Sequence, residues 1–282
     1  MRTSTKLMAL LAASISGIFS VQQAFAGVIT QWTFGTVTPA PDNSPAPDFG
    51  PGVASVLGMT NNYTLTSGST ITGTGTFTGG TVVEQGSTAG ADITATAGDP
   101  NGFPNSWRVR GIDTNTGTGT GNGWALQAPQ YTQGAEFDSS TVGYSGIGFS
   151  FDWYSTTQGV KDLQPEYSLD GTTWNLYGPL LIATSNAFTP TTISLDFSTI
   201  PGAANDPSFG VRLVSAYDPT LSPTNYGSAN GGQNGVYNNN SGNWRFADVA
   251  FTGTAVPEPT VFGLLAVGSL GVLARRRRAQ TL

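Results

Sequence analysis

Residues 146–155 read GIGFSFDWYS. Ile147, Phe149, Phe151 and Trp153 share one parity, and Gly148, Ser150, Asp152 and Tyr154 share the other. Successive side chains of a strand point to opposite faces, so this alternation predicts a β-strand with one aromatic face laid on a core. Further short runs follow the same logic. They are VITQWTF (28–34), SWRVR (106–110), WALQA (124–128), QPEYSL (164–169), TWNLYG (173–178), TTISLDF (191–197), SFGVRLVSAY (208–217) and WRFADVAFTG (244–253), separated by turn-rich stretches. With no convincing helix between them, they predict an all-β chain: a single jelly-roll-like β-sandwich over residues 27–254.

Two local expectations refine that picture. In YSLDGTTW (167–174), Asp170-Gly171 reads as a type I′ hairpin turn, which needs positive φ at both central residues. The closing run puts large apolar residues on both parities, so a bulge near Ala247-Asp248 is expected to shift its phase and leave Arg245 solvated. Three kinds of stretch look irregular. PAPDNSPAPDFGPG (39–52) is too proline-rich for a central strand; Gly/Thr loops lie around 73–80 and 115–123; and 222–243 is a long Asn/Gly loop.

Composition narrows the chemistry. The 282 residues include no histidine and no cysteine, which removes Ser-His-Asp and Cys-His catalysis, imidazole zinc sites and disulfides. A sandwich of this size can rely on core burial instead. The net charge of −6 hides a division, because Arg2, Lys6 and Arg275 to Arg278 lie near the ends. Between residues 27 and 256, five basic residues face sixteen acidic ones, a net of −11, so nucleic acid is a poor partner.

The ends read as transport segments. MRTSTKLMALLAASISGIFSVQQAFAG has a basic start, an apolar run from Leu7 to Val21, and Ala24-Phe25-Ala26 before Gly27. That is the form of a secretory signal peptide, a helix spanning 1–26 that is expected to be cleaved after Ala26. At the other end, Thr260 to Ala274 would reach ~22 Å as a helix at ~1.5 Å per residue, short of the ~30 Å hydrocarbon core. The arginines that follow favour the cytoplasmic side, which would place the body outside the inner membrane.

Pro257-Glu258-Pro259, the short apolar helix and Arg275, Arg276, Arg277 and Arg278 together resemble the PEP-CTERM sorting signal of bacterial exported proteins, over 255–278. This segment is also known as an ice-binding protein C-terminal region. The resemblance implies an exosortase as partner, a transient inner-membrane intermediate, and release or transfer at the surface. QWTF (31–34), GAEFDSSTVGYSGIGFSFDW (134–153), YSLDGTTW and WRFADVAFTG also look like landmarks of the secreted β-sandwich modules of such proteins. Those modules usually close on an Asp-Asn-Val core, whereas this chain has Asp248-Val249 without the Asn.

Four ligand chemistries are open to such a body. Carbohydrate binding needs exposed aromatic faces; Trp153 and Trp174 are expected in the core, which leaves Tyr154 and Tyr177 as the surface candidates. Calcium needs six to eight oxygens; Asp99, Asp138 and Asp218 could contribute, with Asp113, Asp206 and Asp248 the named candidates, although no D-x-D-x-D-G loop is present. Glycoside hydrolysis needs two carboxylates ~5–9.5 Å apart, and no spacing singles out a pair. Ice binding needs T-x-T units at a fixed solenoid period, which TITGTGTFTG lacks. The expectation is a non-enzymatic exported protein without a required cofactor, structural or adhesive in a polysaccharide-rich coat or extracellular matrix. The alternative is a carbohydrate-binding module or glycan-active enzyme of the cell surface.

Overall fold

The run at 146–155 forms most of a twelve-residue strand, Tyr144–Ser155, and Ile147, Phe149, Phe151 and Trp153 are all 1% exposed or less. The computed structural model describes residues 26–34, 44–58, 91–95 (backbone only), 100, 105–109, 124, 129–221, 225–230 and 242–256. The signal segment before Ala26, the sorting segment from Pro257, and the Gly/Thr loops lie outside them. So do Ala125 to Ala128 of the expected WALQA strand; Trp124 itself is buried but not in a strand.

In chain order the strands are β1 Ala26–Trp32, β2 Val53–Leu57, β3 Ala91–Ala95, β4 Asn105–Val109, β5 Gly134–Asp138, β6 Tyr144–Ser155 and β7 Asp162–Ser168. There follow β8 Asn175–Leu176, β9 Leu181–Ile182, β10 Ala187–Phe188, β11 Ile193–Asp196, β12 Gly210–Ala216 and β13 Trp244–Ala255. The first sheet runs β10-β6-β13-β4-β3, with β11 also on β6 and β1 also on β13. The second runs β2-β5-β12-β7-β8, with β9 also on β7. All the strand pairs are antiparallel. The fold is therefore the all-β two-sheet sandwich that alternation predicts.

The core between the sheets is aromatic. Phe137 on β5 crosses the gap to Trp32, Trp107 and Phe149, with ring centroids 5.4, 5.8 and 5.8 Å away. Such edge and tilted contacts suit ring quadrupoles and add about 0.5–1.5 kcal/mol per pair to the burial itself. Buried indoles need partners for their N–H groups. Trp32 donates to the Pro45 carbonyl at 3.0 Å and Trp244 to that of Val160 at 2.8 Å.

The bulge in β13 is real. Its register against β6 slips between Ala247 and Ala250, and Asp248 has φ of 43°. Trp244 and Phe246 reach the core on one parity and Val249 and Phe251 on the other, because the bulge absorbs the extra residue. Arg245, however, is not solvated as expected: it is half-buried, its guanidinium 5.0 Å from the Tyr154 ring centre, and burial lowers its pKa.

The Asp170-Gly171 turn also differs from expectation. Only Gly171 has positive φ, and the hairpin pairs Tyr167 with Asn175 across a seven-residue loop. Asp170 organises it, with Oδ1 accepting the N–H groups of Thr172 and Thr173 at 2.8 and 2.6 Å. That side chain supplies the turn's hydrogen bonds, so the backbone has no need of the I′ conformation. In consequence TWNLYG shortens to the two residues of β8, and Trp174 is displaced from the core to a half-exposed position.

The described residues of two irregular stretches are tied to the sandwich. Asp48, in the Pro-rich loop, accepts the N–H groups of Thr33 and Phe34, and Phe49 bridges to Gln31. From the Asn/Gly loop, Tyr226 is 2% exposed and donates to the Pro129 carbonyl at 3.0 Å.

Candidate functional site

The second sheet has an outer face because Ala135, Phe137, Val211 and Leu213 fill the core from alternate positions of β5 and β12. Register places the intervening residues in rows. Ser55, Glu136, Arg212, Glu166 and Leu176 align across β2, β5, β12, β7 and β8. The adjoining row is Val53, Asp138, Gly210 and Ser168. Farther along, Val214, Gln164 and Asp162 are buried, so the charged rows form the open end of the face.

Arg212 is the centre of this arrangement. Its Nε donates to Glu136 Oε2 at 2.6 Å, and its guanidinium lies 3.8 Å from the centre of the Trp174 ring. Charge-assisted hydrogen bonding and a cation–π stack together hold Trp174 at the surface, as expected of arginine and not of lysine. Beside it a cleft of about 370 Å³ is lined by Glu136, Asp138, Asp170, Ser139, Ser208 and Phe209, among others. Gly210 lies under both Asp138 and Trp174, and the absence of a side chain there lets them close over the strand.

The cleft shifts its acids in opposite directions. Burial pushes the Asp138 carboxyl up to about 7, helped by the Glu136 charge and a hydrogen bond to Glu136 and opposed by Arg212. Outside the cleft lining, opposite Arg212 on β7, Glu166 is also raised by burial, against the opposing pull of Arg212. The backbone N–H groups of Thr173 and Thr172 hold Asp170 well below the usual carboxylate range.

The residues singled out from sequence are scattered. Tyr154 stands on the outer face of the first sheet, its ring 5.4 Å from that of Phe188 and its hydroxyl donating to Asn186 Oδ1 at 2.8 Å. Tyr177 belongs to the other sheet's edge, its ring 4.3 Å from Phe197 and its hydroxyl donating to the Asp196 carbonyl. Of the acids, Asp206 accepts the Ser208 N–H, Asp218 takes Lys161 Nζ and the Thr220 hydroxyl, and Asp248 accepts Gln31 Nε2. Asp99 and Asp113 lie outside the described residues, among which no cluster of three or more acids forms a metal site. Asp138 alone of these acids lines the cleft.

Sequence reasoning passed over Glu136, Glu166 and Arg212, and placed Trp174 in the core. The signal for two of them was present in GAEFD and GVRLV, where a charge interrupts an apolar alternation. Their meeting depends on cross-strand register, which no single segment carries.

The tail is decided by its own residues. The family model of the PEP-CTERM protein-sorting motif matches 255–278. The chain carries a PEP-CTERM sorting motif. The match begins at Ala255, the last residue of β13, so the motif directly adjoins the sandwich. It implies processing by an exosortase through a membrane-held intermediate. No curated protein matches the chain. Among solved structures, the chain is similar to the Clostridium thermocellum xylanase 10B CBM22-1–GH10 modules complexed with xylohexaose, at 12% identity and TM-score 0.30, covering 61% of this chain and 25% of that one. It is also similar to the tailspike protein 4 enzymatically active domain of bacteriophage CBA120, at 10% identity and TM-score 0.28, covering 57% of this chain and 17% of that one. A structure described as "CBM4 structure and function" matches at 15% identity and TM-score 0.25, covering 57% of this chain and 93% of that one. At such scores the function has to be argued from this chain's own side chains.

Proposed function

We propose that this is an exported, non-catalytic surface or matrix protein that adheres to extracellular polysaccharide through the outer face of its second sheet. The Trp174–Arg212 stack beside an acid-lined cleft carries the reading. A half-exposed indole offers an apolar face for a sugar ring, and carboxylates alongside accept its hydroxyl protons. The exposed Val53 and Leu176 extend the two rows with apolar surface. The sorting motif supplies the route, with the tail removed or transferred once the body is outside.

A glycan array on the full-length chain tests the binding. Saturable binding that is lost in Trp174→Ala and kept in Tyr154→Ala supports the cleft; binding that depends on Tyr154 instead moves the site to the first sheet. Routing is tested separately by Glu258→Ala, which should yield a longer, membrane-retained form in cells. Unchanged size and release would remove the exosortase from the account.

A further inference from the structure

We infer that the end of the sandwich bearing the cleft faces the membrane while the sorting tail is in place, so that the bilayer keeps polymer out of the cleft until the tail is cut. The cleft's ligand rests on the glycan-binding reading; what is added is when the cleft becomes available.

The placement follows from where the chain leaves the fold. β13 stays paired to its last residue, Ala255, which lies opposite Tyr144 at the start of β6, and the Val256 N–H still donates to the Gly143 carbonyl at 2.8 Å. Only Pro257, Glu258 and Pro259 then separate Val256 from the apolar run that starts at Thr260. At ~3.3–3.6 Å per residue these steps span at most ~14 Å, and the headgroup layer alone takes ~5–7 Å of that. The folded body therefore cannot stand clear of the bilayer that holds its tail. β1 begins at Ala26, opposite Thr254, so the expected signal segment would leave from the same end.

The cleft lies at that end too. β5 stops at Asp138, and residues 139–143 carry the chain across to Tyr144. Ser139 and Ser140 of this connection line the cleft, and Gly143 holds Val256. The connection is itself tied down, the Ser139 N–H donating to the Phe209 carbonyl at 3.0 Å and the Gly143 N–H to Asn205 Oδ1 at 3.0 Å. Tail exit and cleft wall thus move as one piece.

The side chains exposed here suit an interface. Val142 and Val256 flank the exit at 52% and 50% exposure, and Val53, at 53%, stands on the cleft's rim. Apolar side chains beside an embedded tail can settle at the boundary between headgroups and acyl chains. The body's −11 gives it no attraction of its own for anionic lipid, so the tether and not affinity brings the surfaces together. Once the tail is cut, the same charge favours departure.

Because the chain has no cysteine, single cysteines serve as reporters. The full-length chain is reconstituted in vesicles of phosphatidylethanolamine and phosphatidylglycerol, with circular dichroism confirming the fold of each variant. A fluorophore on Val142→Cys should be quenched by spin-labelled lipid. One on Thr157→Cys, an exposed position beyond the opposite end of β6, should not. In Ser208→Cys, on the cleft lining, a polymer-sized maleimide should react several-fold more slowly than it does after a Gly/Ser insertion of about 30 residues between Val256 and Pro257, which reaches ~30 Å. A small maleimide should react equally in both. Equal quenching at the two labels, or a polymer-sized reagent indifferent to the insertion, overturns the inference and leaves the glycan reading standing. Neither readout uses a sugar, so a glycan array without a ligand overturns the binding role alone.

Discussion

Asp138 reaches over Gly210 so closely that a Cβ on residue 210 would stand 2.3 Å from Asp138 Oδ1, and 2.9 Å from the Trp174 ring. Both atoms are side-chain ends, so Gly210→Ala should displace them with little strain on the backbone. We expect a stability change of about 1 kcal/mol or less and a loss of glycan affinity of tenfold or more. Denaturant unfolding and the glycan-array binding, made on one preparation, separate the two. An undiminished affinity would show that the Asp138–Trp174 closure is irrelevant to binding.

Trp174→Ala removes the ring that Arg212 stacks on while leaving the Glu136 bond in place. A partly exposed cation–π contact is worth about 0.5–1 kcal/mol, so the fold should survive with a small drop in midpoint. Binding should be abolished. Circular dichroism beside the array keeps a folding defect from being mistaken for a binding defect.

The raised pKa of Asp138 sets a direction for stability against pH. The unfolded carboxyl releases its proton near about pH 3.9, whereas the folded one holds it to about 7. Between those values the native state binds more protons, so stability falls as pH rises. Asp162, raised by burial to about 6, acts in the same sense. The melting temperature should therefore decline from about pH 4 to pH 7, with Asp138 contributing on the order of 2 kcal/mol after allowance for its partial exposure. Asp138→Asn should flatten the slope; a slope identical to wild type would assign it to other groups.

Asp248 has positive φ and accepts a 2.7 Å hydrogen bond from Gln31 Nε2. Asp248→Ala keeps the strained backbone and loses the bond, for an expected cost of about 1–2 kcal/mol. Asp248→Asn tolerates the conformation and still offers an acceptor, so it should stay near wild type. Asp248→Val should be worst, being β-branched at positive φ. Urea midpoints that fail to rank Asn above Ala above Val would argue against the bulge as the controlling feature.

Phe137 touches rings from several strands of the facing sheet, and it is fully buried. Phe137→Ala should cost about 3–5 kcal/mol by transfer and cavity formation, measured as a shift in urea midpoint at constant slope. A cost near 1 kcal/mol would mean that the gap between the sheets can collapse.

Strand identity was legible wherever one face is apolar for several residues, as in β6 and β12, because period-two alternation is a local property. The bulge in β13 was legible for the same reason, since a change of parity within one run needs an inserted residue. The very short strands β8, β9 and β10 carry too few residues for any period, and β2 follows a Pro-rich stretch that masked it. The type I′ expectation failed because the Asp170 side chain outcompeted the backbone, and Trp174 left the core with it.

By itself the sequence determined the architecture, the histidine-free chemistry and the sorting tail, since each rests on local pattern, composition or contiguous motif. Tertiary structure alone decided which acids meet. Glu136 and Arg212 lie 76 residues apart and touch only because antiparallel register makes them neighbours. Trp174 reaches the same place through a loop whose conformation its flanking residues set. Sites assembled across strands depend on register, and register comes from the packing of the whole core.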